Sequence, residues 1–226
     1  MPRANRIVTF SVLLAGLFAG EVRAQSVAEV VDGMYAAAER QAAGVQDYTL
    51  TQLVMGTETF SYFEKELIDG HSVFRLQMSD GGGFSLSLAG EDYGLGDVFI
   101  YGPQLIEHGR YGGTEQLGNF NVHVLSVDDA AALEIVPPSG AGDTAFLAKS
   151  LRLYVDTTLM VPRRVVLVGN ANTAAGPAEL TIQIDMQSFL PIEGLWVPFK
   201  TTLQVAGGTV DITVAEVLIN AGRPQA

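Results

Sequence analysis

Apolar and polar residues alternate one for one along most of the second half of this chain. In LWVPFKTTLQVAGGTVDITVAEVLIN (195–220), Leu195, Val197, Phe199, Leu203 and Val205 share one parity, and Trp196, Lys200, Thr202 and Gln204 share the other. Beyond Gly207-Gly208, Val210, Ile212 and Val214 alternate with Thr209, Asp211 and Thr213. Side chains alternate across a pleated sheet and Gly-Gly suits a tight turn, so the pattern predicts an antiparallel hairpin with one dry face.

The same period recurs upstream. Tyr48–Val54 and Glu58–Leu67 read as a hairpin around Gly56. Phe74, Leu76 and Met78 alternate with Val73, Arg75 and Gln77, and Phe84, Leu86 and Leu88 with Ser85 and Ser87. Phe120, Val122 and Val124 alternate with Asn121 and His123. Leu151, Leu153 and Val155 alternate with Arg152, Tyr154 and Asp156. Leu180, Ile182, Ile184 and Met186 alternate with Thr181, Gln183, Asp185 and Gln187. The expectation is a single antiparallel sheet, wet on one face and dry on the other.

One stretch follows a helical period instead. Ser26-Val27-Ala28-Glu29 is a capping box, and Val27, Val30/Val31, Met34, Ala38 and Ala42 form one apolar stripe on a helix of about 17 residues that ends at Gly44. Ala89–Gly113, with seven glycines, and Asp128–Thr144, with a short helix at Asp129–Leu133, break the strand pattern. Both fit either segments lying across the dry face or ordinary surface loops.

These elements constrain the architecture. Roughly nine or ten strands spaced about 4.8 Å make a sheet about 45 Å wide, whereas one helix covers only about 10 Å. An exposed apolar face of the remaining width is unstable in water, so the sheet must curl, close or sandwich, and strand twist favours curling around the helix. The expected fold is mainly β (α+β), with a curled antiparallel sheet around an N-terminal amphipathic helix. What the helix leaves uncovered is an apolar cavity suited to a hydrophobic ligand. Its expected lining is Phe74, Leu76, Phe84, Leu86, Phe120, Val122, Leu151, Leu153, Leu180, Ile182, Ile184, Phe199, Leu203 and Ile212.

The start of the chain adds a compartment. Arg3 and Arg6, the uncharged Ile7–Gly20, and Ala24 before Gln25 have the layout of a secretory signal peptide, 1–24, ahead of one domain, 25–226. The apolar run is too short to span a bilayer, and no cysteine follows it to be acylated. The expectation is a soluble periplasmic protein. With no cysteine there is no disulfide framework, so the fold relies on packing. The leader holds three of the 13 basic and one of the 25 acidic residues, leaving 10 and 24 and a net charge of −14. That excludes nucleic acid as a natural partner and disfavours anionic lipid surfaces.

LYVDTTLMVPRRVVLV (153–168), IEGLWVPFKTT (192–202) and the closing VLINAG resemble the outer-membrane lipoprotein-sorting family of LolA/LolB-like carriers, as does the amphipathic helix leading into YTLTQLV with a later VFRLQ. The resemblance covers most of the chain after the leader. It implies an unclosed β-barrel around a helix with a loop or short-helix lid, binding lipoprotein acyl chains or other lipid; membrane-associated donor and acceptor proteins are the expected partners, and a monomer is the expected state. The motifs make physical sense: Thr157-Thr158 turn, Pro162 starts a strand without an amide, Gly194 turns, and Pro198 marks an edge, bulge or unpaired site. In the family an arginine on an early strand latches the lid. Tyr48–Met55 has none, and Arg75 in VFRLQ is either that latch or a wet-face residue.

Catalytic signatures are lacking. His71, His108 and His123 have no partners at metal-ligand spacing, there is no G-x-S-x-G, and Asp80-Gly81-Gly82-Gly83 lacks the Lys-Ser/Thr of a phosphate loop. No cofactor and no enzyme activity is expected. The leading reading is a periplasmic carrier or chaperone for a hydrophobic ligand. A sensor or regulatory module of the same fold that recognises a protein partner is the alternative. An outer-membrane barrel also alternates, but this chain opens with a helix and lacks paired aromatic girdles.

Overall fold

The structure is a computed structural model and describes residues 25–68, 70–80, 85–88, 91–94, 102–133, 135–136, 146–173, 176–205 and 207–224. Helix α1 (Val27–Ala42) is followed by β1 (Asp47–Val54), β2 (Thr57–Ile68), β3 (His71–Ser79), β4 (Ser85–Leu88) and β5 (Glu91–Gly94). A short helix α2 (Gly102–His108) precedes β6 (Arg110–Leu117), β7 (Phe120–Val127), a 3-10 turn at Ala130–Leu133 and β8 (Ile135–Val136). Five long strands complete the chain: β9 (Phe146–Asp156), β10 (Pro162–Thr173), β11 (Gly176–Ile192), β12 (Leu195–Val205) and β13 (Gly208–Ile219). They form one 13-stranded sheet in the order β6-β7-β9-β10-β11-β12-β13-β1-β2-β3-β5-β4-β8, open at both edges. Within the segment 89–113, where glycines break the strand pattern, the described residues hold β5, α2 and the start of β6.

Helix α1 forms as its sequence dictates. Glu29 N–H donates to Ser26 Oγ (3.2 Å) and Ser26 N–H to Glu29 Oε2 (2.9 Å). At the far end Lys65 Nζ donates to the Ala42 carbonyl (2.6 Å), placing a cation at the negative helix terminus. Glycine inside a helix is costly, and here Gly33 has a packing reason. A Cβ at that position would lie 2.4 Å from Met160 Cε, so the bare backbone admits the β9–β10 turn against the helix.

The curl follows from what one helix touches. Val30, Val31, Met34 and Tyr35 pack with Leu125 and Val127 of β7, Leu151, Leu153 and Val155 of β9, Val165 and Leu167 of β10, and Ile182, Ile184 and Met186 of β11. The same helix reaches β3 and β12. Strands β7 and β3 stand eight places apart in the sheet, about 40 Å if it were flat. One helix shares a core with β7 and also reaches β3 only because the sheet wraps round it.

Turn chemistry agrees with the sequence. Glu193 (φ 47°) and Gly194 (φ 100°) are both left-handed and join β11 to β12 directly, with Ile192 opposite Leu195. Pro162 opens β10 opposite Val155. Pro198 faces Phe189 of β11, while pairing with β13 begins only at Lys200, so its missing amide falls where β12 has one neighbour. Asn220, in the VLINAG motif, accepts from Gln46 N–H through Oδ1 (2.7 Å) and donates to the Gly44 carbonyl through Nδ2 (2.9 Å). It ties the last strand to the link between α1 and β1.

Outside, the sheet is polar where the alternation expects it. Arg164 pairs with Asp185, which also accepts from Gln183 Nε2 (2.7 Å), and Thr202 Oγ1 donates to Asp211 (2.7 Å). Arg75 pairs with Glu66 (3.0 Å) on this outer face, as a wet-face residue. Tyr62 is also on the outer face but fully buried, its hydroxyl donating to Glu64 (2.9 Å). Burial, then the Glu64 hydrogen bond and charge, push the phenol up to about 12. Because the folded value lies above the ordinary 10, this contribution to stability is complete below pH 10 and is lost as pH rises toward 12. Spectrophotometric titration should therefore show one tyrosine ionising near pH 12, a step missing in Tyr62→Phe.

Candidate functional site

The inner face of the sheet is the candidate ligand surface, and register decides which residues it holds. The expected lining residues divide into groups. Leu151, Leu153, Ile182 and Ile184 are buried in the cluster packed on α1, with Leu203 half-buried at its edge. Phe74 is buried in a second cluster with Ala42, Val45, Phe63, Leu195, Val197 and Val214, and Leu76 and Phe199 pack half-buried against it. Ile212 is buried on the same face, between Thr201 of β12 and Val54 of β1. Leu180, one step beyond Ile182 toward the β10–β11 turn, is half-buried.

Two residues sit elsewhere. On β7 the inner parity belongs to His123, Leu125 and Val127, which face Val155, Leu153 and Leu151. Val122 and Val124 therefore lie on the outer face, opposite Asp156 and Tyr154, and Phe120 is 44% exposed. The stretch Val122–Val127 is apolar on both parities, so alternation alone picked the wrong one. A bulge between Tyr62 and Phe63 likewise moves Met78 to the outer face while Phe74 and Leu76 stay inside. Leu86 lies in β4 opposite Tyr93, and Phe84 is outside the described residues.

A polar patch on this face escaped the sequence reading. Tyr48 and Phe63 stack with ring centroids 4.7 Å apart, which fixes β1 and β2 inner parity. Register then places Gln52 against Thr59 and Leu50 against Ser61, with Ser79 beyond Ser61 on β3. Gln52, Thr59 and Ser61 are only 9, 6 and 3% exposed, and Thr59 Oγ1 has no hydrogen-bond partner among the described residues. In TETFSYF the aromatic residues Phe60 and Tyr62 look like the inward set. The signal that reverses this is Phe63, whose parity they do not share.

The DTTLMVPR motif builds an ionic knot at one end of the sheet. Asp156 Oδ1 accepts the amides of Thr158 and Leu159 (both 2.8 Å), and Oδ2 accepts Arg163 Nε (2.9 Å) and Nη2 (2.8 Å). The guanidinium lies 3.9 Å over the Phe120 ring and 4.7 Å from that of Phe189. Burial raises the carboxyl pKa, but the two amides and Arg163 together hold it below the usual range. Nearby, Tyr111 Oη lies 3.2 Å from His123 Nδ1. Burial lowers the imidazole, against an opposing effect of the Asp156 charge. Asp156 thus ties the turn after β9 to the start of β10.

His71 stacks on Tyr35, centroids 3.7 Å apart, and His108 lies 3.8 Å from Glu107. Among the described residues no group of three or more His, Asp or Glu is placed to hold a metal, and no helix is long and apolar enough to cross a membrane.

No protein-family model and no curated protein matches the sequence. Among solved structures the chain is similar to an outer-membrane lipoprotein-sorting protein domain from Vibrio parahaemolyticus, at 10% identity and TM-score 0.49 over 88% of this chain and 94% of that one. It is similar to a DUF1329 family protein from Desulfovibrio piger, at 12% identity and TM-score 0.47 over 86% and 95%. A LolA superfamily protein from Nitrosomonas europaea matches at 10% identity and TM-score 0.40 over 85% and 94%.

Proposed function

We propose that this protein is a periplasmic carrier or chaperone that holds a hydrophobic ligand, lipoprotein acyl chains or another lipid, against the inner face of its curled sheet for transfer toward the outer membrane. One observation carries the reading. The inner face runs on past the helix-packed core into Leu180, Leu203, Val205, Val210 and Val54, apolar side chains that remain half-buried within an unclosed sheet. Each methylene buried there contributes about 0.8 kcal/mol, so an acyl chain lying along these strands gains several kcal/mol after its ordering cost. Release then needs a movement that weakens those contacts.

Ile182 is too deep in the α1 cluster to test this without breaking the fold, whereas Leu203 lies at its edge. Leu203→Glu is expected to cut lipid affinity at least tenfold, because a carboxylate facing acyl chains has no partner. Gln204→Glu, one residue along on the exposed face, should bind as the unaltered protein does. Native mass spectrometry with lipid extraction, on protein purified without detergent, reads both. An empty, folded monomer that takes up no added lipid would sink the carrier reading and favour a regulatory module that recognises a protein.

A further inference from the structure

We propose that the buried polar patch of Gln52, Thr59 and Ser61 holds the uncharged carbonyl of an acyl ester or acyl amide, so that the cargo is an acyl linkage with its chains and not a bare hydrocarbon or an ionised lipid head. This rests on the carrier reading above and specifies the polar part of its ligand.

Three observations converge on it. The first is position. Thr59 and Ser61 follow one another on the inner parity of β2, and Gln52 stands directly across from Thr59. Along the same rows Gln52 faces Val214, and the next inner pair is Val54 with Ile212. A carbonyl at the patch therefore has apolar strand beside it for the chain that follows.

The second is the state of Thr59. Its hydroxyl is buried without a hydrogen-bond partner among the described residues. A buried unmatched hydroxyl is destabilising, and valine would fill the same volume without that penalty. A ligand that supplies an acceptor removes the penalty. Hydroxyl and amide groups donate and a carbonyl oxygen accepts, so the three side chains offer what an acyl linkage lacks in an apolar cavity.

The third is charge. Among the described residues, the inner parities of β1, β12 and β13, and of β2 from Thr57 to Ser61, hold no acidic or basic side chain. A carboxylate or phosphate entering there would lose water without gaining a counter-charge. An ester or amide carries no such cost.

The test compares matched pyrene-labelled probes on the full protein: a diacylglycerol, an N-acyl amide, an alkane of equal chain length, and a fatty-acid anion. The unaltered protein should prefer both carbonyl probes to the alkane and bind the anion weakest. Thr59→Val should lose about five- to tenfold in affinity for the carbonyl probes, the size of one hydrogen bond, with alkane affinity unchanged and the urea midpoint raised. Gln52→Met, a second variant, should shift the same preference in the same direction. Carbonyl probes bound equally well by both variants, or a loss shared equally by the alkane, would overturn the assignment. If the ester binds and the amide does not, the carbonyl is that of a glyceride; the reverse result makes it an acylated amine. An unaltered protein that binds none of the probes overturns the carrier reading itself, and this inference with it.

Discussion

Asp156→Ala is expected to lower the unfolding free energy by about 3–5 kcal/mol, the usual cost of leaving a buried ion-pair partner uncompensated. Both members of the pair have side chains only 6% exposed, and Arg163 is held between Phe120 and Phe189. The alanine also frees the amides of Thr158 and Leu159. Thr158 is exposed and Leu159 half-buried, so water can replace part of what the turn loses and the buried guanidinium dominates the loss. Asp156→Asn should cost less, since its side-chain oxygen can still accept the turn amides. Adding Arg163→Met to Asp156→Ala should recover much of the stability, because a methionine in the Phe120–Phe189 slot needs no counter-charge. Urea melts of the four proteins check this. A double variant no more stable than Asp156→Ala would mean that the turn amides, and not the stranded charge, set the cost.

The same carboxyl fixes the sign of the acid response. Its folded pKa lies below the ordinary 3.8, so the unfolded chain takes up the proton first. Its stabilisation is thus present above about pH 4 and is lost as pH falls through the lower folded value. His123 acts in the same direction at a higher pH. Its folded pKa lies below 6.5, so the unfolded imidazole protonates first and stability begins to decline as pH drops beneath that value. Two steps of the same sign are expected on acidification, and His123→Gln should remove only the upper one.

Leu153→Ala is expected to cost about 2–5 kcal/mol, since the side chain is fully buried against α1 and the cavity it leaves has little room to collapse. Leu190→Ala, the same substitution at a residue 47% exposed, should fall within about 0.5 kcal/mol of the starting protein. The comparison also separates two roles that the sequence assigns alike. If Leu153 is helix-packed core, its alanine variant loses stability while still binding lipid under conditions where it is folded. If Leu203 lines the ligand surface, Leu203→Glu loses lipid with little change in the urea midpoint. A Leu153→Ala protein that keeps its midpoint and loses lipid would mean that Leu153 lines the ligand cavity.

Much of this architecture is legible in the sequence. The capping box and apolar stripe define α1, because helix entry is a local matter of one hydroxyl, one carboxylate and a 3.6-residue period. The strands around Leu151–Asp156, Leu180–Gln187, Leu195–Val205 and Val210–Val214 are written in alternation and in turn residues such as Gly194, and the width of the sheet against the girth of one helix requires the curl. Alternation states which side chains share a face within one strand. It does not state which face the curl encloses. On β7 both parities are apolar, and only its pairing with β9 turns Leu125 inward and Val122 outward. On β2 the stacking of Phe63 on Tyr48 overrides the inviting Phe60 and Tyr62, and so draws Thr59 and Ser61 inside. The meeting of Asp156 with Arg163 depends on a bulge at the start of β10, and the meeting of β1 with β13 joins opposite ends of the chain. The sequence thus determined the elements, whose causes are short-range. Register, bulges and the enclosed face were decided by packing between strands distant in the chain, which no local period encodes.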